Sequence, residues 1–332
     1  MAALFEAIVR GLARVNPTIF TLGPFTVRWY GVAYLLGFVV GYFIIRYLNK
    51  RWKLGMSSDD LLTLLLILIV VCIVCSRLFY CVFYNPGYYW SHPLDVFKTW
   101  DGGMSFHGSI IGGVIALAIA SRQLKQPFLR LADLCVVALP FGVFLGRIAN
   151  FINGELWGRV TTVAWGLVFP GAGSLPRHPS ALYEALLEGL LLFVIMLALA
   201  LRRHLWPRGF MAGTMMTLYG MFRIFSEFFR QPDVQVGKAG FLWGTNWLTM
   251  GMLLSVPMII VGVAFMFWAF KHGDEPVAPF AAPAFGKLDA IFAKSHKRPD
   301  VDAELPDAGN EADTDGNEAD TVGEAGTSEA LD

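Results

Sequence analysis

The strongest constraint on this chain is how much of it is unbroken apolar sequence. From Leu61 to Cys75 it reads LLTLLLILIVVCIVC, without one charged residue. A helix needs about 20 mostly apolar residues to cross the hydrocarbon core of a bilayer. Runs of that kind recur at roughly 29–48, 60–82, 107–121, 131–150, 181–201, 210–228 and 247–270. In hydrocarbon every backbone amide must be paired, and segments of this length do so as helices. The expectation is therefore an all-α, polytopic membrane protein with about seven transmembrane helices. Composition agrees: 55% of the 332 residues are hydrophobic and only 16% are charged, against about 25% charged in soluble domains.

Lysine and arginine set the orientation, because short cytoplasmic loops are rich in them. The links after the first, third and fifth runs carry Arg46/Lys50/Arg51/Lys53, Arg122/Lys125/Arg130 and Arg202/Arg203/Arg208. The aromatic stretch 83–106 on the other side carries only Lys98 as a basic residue. This puts the N-terminus outside and the C-terminus in the cytoplasm; Arg10, Arg14 and Arg28 run against the rule and are outvoted. The opening segment MAALFEAIVRGLARVNP is too polar for a signal-peptide core and reads as an amphipathic helix in the interface.

The zero net charge conceals an uneven distribution. Residues 273–332 hold fifteen Asp/Glu and four Lys/Arg, leaving 22 basic and 11 acidic residues in the body 1–272. A basic body suits anionic lipid headgroups. The tail, with GNEADT twice, reads as a separate acidic, disordered cytoplasmic segment. Cys72, Cys75, Cys81 and Cys135 all lie in or beside apolar runs and read as packing residues. No His/Cys spacing suggests a metal, no cofactor is implied, and nucleic acid is not an expected partner. Gly37/Gly41 and Gly142/Gly146 have the spacing that lets transmembrane helices approach closely.

Ionisable side chains inside membrane spans are costly and mark function. With the orientation above, they fall at one depth. Arg147 and Asn150 lie at the outer end of the fourth run, Arg223, Glu227 and Arg230 at the outer end of the sixth. His107 opens the third run, and Trp29 and Tyr30 open the first. The loop after the fourth run, in the segment GRIANFINGELWGR, adds Asn153, Glu155, Gly158 and Arg159. Arg177, His178, Tyr183 and Glu184 cluster at the start of the fifth. A guanidinium keeps its charge and offers a bidentate fork, so Arg147 and Arg223 are candidate phosphate clamps. Asn150 and Asn153 are expected to donate to lipid oxygens, and Glu155 and Glu227 to orient the arginines.

Each residue also has a plainer reading. Arg223 and Glu227 are spaced as a helix ion pair, Arg147 could snorkel to the interface, and His107 could cap its helix. Trp29 and Tyr30 could belong to an aromatic belt. Arg77 has no motif around it, and Asp133 reads as a helix cap or dipole partner.

GRIANFINGELWGR resembles the signature segment of bacterial prolipoprotein diacylglyceryl transferases. RWYG at 28–31, GMSFHG at 103–108, RHPSALYEA at 177–185 and RIFSEFFRQPD at 223–233 resemble that family in the same order, over roughly residues 16–270. The resemblance implies transfer of the diacylglyceryl group of phosphatidylglycerol to the lipobox cysteine of a prolipoprotein signal peptide. It implies a thioether product, released glycerol phosphate, and a place in the bacterial inner membrane. By the same resemblance Arg147, Asn150, Glu155 and Gly158 belong to the signature site, and His107 and Tyr30 are active-site residues. Arg223, Glu227 and Arg230 stand on the phosphate side. For the thiol's proton, His107 at the outer interface is the candidate general base, the alternative being a thiol pKa lowered by the arginines with no dedicated base. Ser109 and Ala181 depart from the family pattern, which often has Gly and Gln there. The alternatives are a seven-span transporter or channel for an anionic lipid or solute, and a lipid-binding scaffold without chemistry. Transporters place polar groups near the midplane of repeated halves, which this sequence does not do.

Overall fold

In a computed structural model the chain is described at residues 2–23, 25–99, 102–202, 206–232 and 241–272. The acidic tail expected at 273–332 lies outside the described residues. Helices stand where the apolar runs predict them. In chain order they are α1 (Ala2–Leu12), α2 (Trp29–Arg51), α3 (Ser58–Phe83), a short α4 (Pro86–Ser91), α5 (Phe106–Gln123) and α6 (Phe128–Ile152). There follow α7 (Ser180–Glu184), a π-helical segment (Ala185–Leu191) and α8 (Leu192–Ala200), which together make one rod, then α9 (Phe210–Glu227) and α10 (Met250–His272). Five of these are long and apolar enough to cross a membrane: α2, α3, α6, the rod Ser180–Ala200, and α10. At 18 residues each, α5 and α9 are shorter and carry more polar groups.

One element departs from an all-helical chain. Thr18–Leu22 (β1) and Phe25–Arg28 (β2) pair as an antiparallel hairpin, turned through Gly23 at φ +58°. TIFTL and FTVR are rich in β-branched residues and too short to form a membrane helix, so a hairpin is the natural outcome.

The helices pair as α3 with α5, α2 with α6, and α9 with α10, while α6 also packs on the rod. Leu48, Leu64, Leu131, Leu134, Leu192 and Met196 have no accessible surface and form the centre of the bundle. Leu66, Val70, Ile110, Val114, Ile260 and Phe267 point outward and are exposed. An exposed apolar surface of that extent would be an aggregation liability in water; here it marks a multi-pass membrane protein, whose outer surface meets lipid.

Glycine sets the closest crossing. A Cβ on Gly108 would stand 2.6 Å from the Cys75 carbonyl oxygen, and one on Gly112 would stand 2.9 Å from Cys72 Cα, so α5 lies directly on α3. Cys72 and Cys75 therefore act as packing surface, and all four cysteines are free thiols. The expected Gly37 approach is present, where a Cβ would stand 3.6 Å from Gly142 Cα, but among the described residues a Cβ on Gly146 would meet no other element within 4 Å. The N-terminal segment is helical, as expected, and α1 buries Val9 completely and sets Phe5 edge-on to Trp165 at 5.7 Å, against the loop that follows α6.

Candidate active site

Six charged side chains meet where α6, the Ser180–Ala200 rod and α9 converge. Arg147 comes from the last turns of α6, Arg223 and Glu227 from those of α9, and Arg230 from just beyond it. Glu184 ends α7 and Glu188 lies in the π segment. Arg147 Nε is 3.0 Å from Glu184 Oε2, and its Nη2 is 3.7 Å from Glu188 Oε2. Arg223 Nη1 reaches Glu184 Oε1 at 3.2 Å and Glu188 Oε1 at 3.5 Å, and Arg223 also pairs with Glu227. Arg230 Nη1 is 3.6 Å from Glu184 Oε1. The Thr249 hydroxyl donates to Glu227 Oε2 at 3.0 Å.

Neither Glu184 nor Glu188 has any exposed surface, whereas Arg147, Arg223 and Arg230 keep 19%, 14% and 12% of theirs. The carboxylates thus form the floor and the guanidiniums the rim. Burying a charge costs several kcal/mol unless it is paired, and Glu184 meets that demand by facing all three arginines. π-Turns within helices recur at functional sites. This one brings Glu188 to Arg147 and Arg223, and it seats Gly189 so close to α6 that a Cβ would lie 2.5 Å from Phe144 Cα.

A second, polar network adjoins the first. The Tyr30 hydroxyl donates to Glu155 Oε2 at 3.1 Å and accepts from the Asn150 amide, while Asn153 Nδ2 lies 3.4 Å from Glu155 Oε1. Among the described residues Glu155 thus pairs with Tyr30 and the two asparagines and not with an arginine, contrary to expectation. The reason is local: α6 ends at Ile152, Gly154 turns at φ +70°, and the Glu155 amide donates back to the Asn150 carbonyl at 3.0 Å. That turn folds the carboxylate over Asn150 and toward α2. Asn150 and Asn153 are likewise engaged with protein groups.

Gly158 sits at a three-way crossing. Its amide donates to the His178 carbonyl at 2.8 Å, it bridges to Arg230, and a Cβ would fall 2.5 Å from the Phe229 carbonyl oxygen. Arg159 continues the seam, its Nε 3.1 Å from the Arg230 carbonyl and its Nη2 3.3 Å from that of Glu227. Arg177 donates to the Gly158 carbonyl at 3.2 Å and to Gln231 Oε1 at 3.1 Å. These bonds fix the chain that carries Arg230 against the loop that carries Glu155. Beside them, His178 Nδ1 lies 3.0 Å from the Tyr183 hydroxyl, and burial pulls the imidazole below its ordinary pKa.

His107 stands apart from both networks. It lies in the first turn of α5, is exposed, and its ring stacks on Phe79 with centroids 6.3 Å apart. Among the described residues it makes no hydrogen bond or ion pair. Arg77 proves to be the anchor of the segment before it. Buried in α3, its guanidinium donates to the carbonyls of Asp95 at 2.8 Å, Val96 at 2.9 Å, Lys98 at 2.9 Å and Gly103 at 3.0 Å, and to that of Gly102. Asp133 caps a helix other than its own: it accepts from Gly209 N at 2.7 Å and Ala212 N at 3.0 Å, at the start of α9.

Sequence reasoning named the three arginines, Glu227, Tyr30, Asn150 and Glu155, but not the pairing of Glu155 with Tyr30. It noted Glu184 without giving it a task and missed Glu188. The signal was present in LYEALLEGLLL, two carboxylates four apart within an apolar run. Buried carboxylates facing a known set of arginines are the expected counter-ions.

Residues 17–268 match the model of a family described as prolipoprotein diacylglyceryl transferase. A phosphatidylglycerol–prolipoprotein diacylglyceryl transferase of Geobacter sulfurreducens is 48% identical over 249 residues, covering 75% of this chain and 93% of the relative. Proteins of that name from Methylocella silvestris and Rhodopseudomonas palustris are 45% and 46% identical, over 79% and 80% of this chain and 96% and 93% of their own lengths. None of this supports the transporter alternative.

Proposed function

The chain belongs to the prolipoprotein diacylglyceryl transferase family, and from that premise we propose how its buried ion cluster serves the reaction. The protein is a transferase that moves the diacylglyceryl group of phosphatidylglycerol to prolipoproteins, the first step of lipoprotein maturation. The acceptor is the lipobox cysteine thiol of the signal peptide. All seven of α2, α3, α5, α6, the rod, α9 and α10 cross the bacterial inner membrane. The N-terminus is outside, the C-terminus in the cytoplasm, and the site at the extracytoplasmic interface. The body 1–272 carries the chemistry, and the tail 273–332 is a separate acidic segment.

One observation carries the reading. Arg147, Arg223 and Arg230 converge, partly exposed, above two buried carboxylates at one end of the bundle. In the proposed reaction the cysteine sulfur attacks the glyceryl carbon attached to the phosphate oxygen. A C–S bond forms, the C–O bond breaks, and its electron pair stays on the phosphate, which leaves as glycerol phosphate. Charge grows on that phosphate as the bond breaks, where Arg147 and Arg223 stabilise it in a water-poor setting. A thiol with a pKa near 8.5 is mostly protonated at neutral pH. His107, exposed at the start of α5, receives its proton. Tyr30, Asn150, Asn153 and Glu155 hold the signature loop over the donor, and Gly158 keeps Arg230 in register with it.

The test is thioether formation by purified protein reconstituted with phosphatidylglycerol and a lipobox peptide. Arg147→Ala and His107→Gln are expected to lose activity, the latter partly recovering at higher pH. Full activity in both variants would remove the assignment, and wild-type protein that forms no thioether would favour a lipid-binding scaffold.

A further inference from the structure

The arginine cluster is electrically complete before any lipid enters it. Arg147, Arg223 and Arg230 face Glu184, Glu188 and Glu227, three charges against three. A phosphodiester brings one more negative charge. Uncompensated charge is strongly disfavoured at a site whose two floor carboxylates are fully buried.

The six ion pairs are unequal. Glu184 is held by three guanidiniums, at 3.0, 3.2 and 3.6 Å. Glu188 reaches only two, at 3.7 and 3.5 Å. The oxygens of Glu184 and Glu188, and Arg223 Nη1, are alike buried without a hydrogen-bond partner, so the number and length of the ion pairs separate the two carboxylates. Glu188 is thus the carboxylate whose charge is least well held. The groups around it are Glu184 on its own rod, Arg147 from α6, and Arg223 and Tyr219 from α9. Glu227 and Arg230 complete the cluster.

We propose that Glu188 takes up one proton when the phosphodiester of an anionic glycerophospholipid enters the cluster, and returns it when the anion leaves. The inference rests on the reading that this cluster receives the phosphate of phosphatidylglycerol. Protonation frees Arg147 Nη2, leaves Arg223 Nη1 with Glu184 alone of its two carboxylates, and keeps the cluster neutral, with the phosphate standing in for the third carboxylate. Glu188 is then a positioning residue that ties donor affinity to pH. Above neutrality the proton is harder to obtain and docking weakens, by linkage about tenfold per pH unit for one proton.

The experiment is calorimetric titration of the full chain, in neutral detergent, with a short-chain phosphatidylglycerol. Buffers of different ionisation enthalpy report the protons exchanged. The wild type is expected to take up about one proton per lipid, following the linkage slope above. Glu188→Gln is expected to bind with no uptake and with affinity independent of pH. His107→Gln, which removes the exposed imidazole at the same end, is expected to retain the uptake. The proposal is overturned by wild-type binding without proton uptake, by uptake that persists in Glu188→Gln, or by uptake lost in His107→Gln. If Glu188→Gln does not fold, the wild type and His107→Gln decide between them. Absence of binding by the wild type would sink the reading of the site as well; binding without uptake would sink only the role of Glu188.

Discussion

At the scale of single residues, Glu184 is the least replaceable member of the site. It has no exposed surface and faces Arg147, Arg223 and Arg230 together. Removing one partner of a buried ion pair leaves the other uncompensated, at about 3–5 kcal/mol. Glu184→Ala is therefore expected to lower the thermal unfolding midpoint sharply as well as activity. An unchanged midpoint would mean that the arginines find other counter-ions. His178 gives a pH dependence of known sign. Burial lowers its pKa in the folded protein, so below about pH 6.5 the unfolded chain binds a proton that the folded chain resists. Above that pH the group contributes nothing to the slope; as pH falls through it, stability is lost. Melting curves of the wild type and His178→Gln should coincide near pH 8 and diverge in mild acid, with the variant losing less.

At the scale of elements, the sequence makes the five long helices readable because each is an apolar run of bilayer length, a signal that needs no knowledge of neighbours. Partnerships are harder to read. GRIANFINGELWGR shows Glu155 two residues past Asn153, but only the turn at Gly154 shows that its carboxylate folds onto Tyr30. The π segment behind Glu188 is set by packing of Gly189 on Phe144, a contact between residues 45 apart in sequence. Arg77 looked isolated because all its acceptors are backbone carbonyls, which carry no sequence signature. It ties Asp95, Val96, Lys98, Gly102 and Gly103 to α3, and each carbonyl left buried without a donor costs about 1–3 kcal/mol. Arg77→Ala should expose the segment between α4 and α5 to limited proteolysis at protease levels that spare the wild type. Equal cleavage rates would show that the aromatic packing around it suffices.

At the scale of the whole molecule, the membrane body 1–272 is proposed to carry the chemistry without help from the acidic tail 273–332. Every charged or polar side chain assigned to catalysis lies between Tyr30 and Arg230. A chain ending after Lys271 is expected to retain the activity of the full protein in reconstituted membranes, and loss of transfer on truncation would contradict that division. The membrane class was legible because it depends on summed composition. That Arg147, Arg223 and Arg230 share one end of the bundle was legible because helix direction fixes which end each residue occupies. What remained hidden was charge balance, since the carboxylates that neutralise the arginines sit in a run whose other residues are apolar.

The central claim is that the arginine cluster stabilises the phosphate as the lipid is cleaved. The most direct measurement compares kcat/KM for thioether formation by wild-type protein and Arg223→Ala, with phosphatidylglycerol as donor and the fold verified by melting. Loss of a preorganised charge at a leaving group predicts a fall of about 100-fold or more. A variant that folds and retains wild-type kcat/KM would contradict the account.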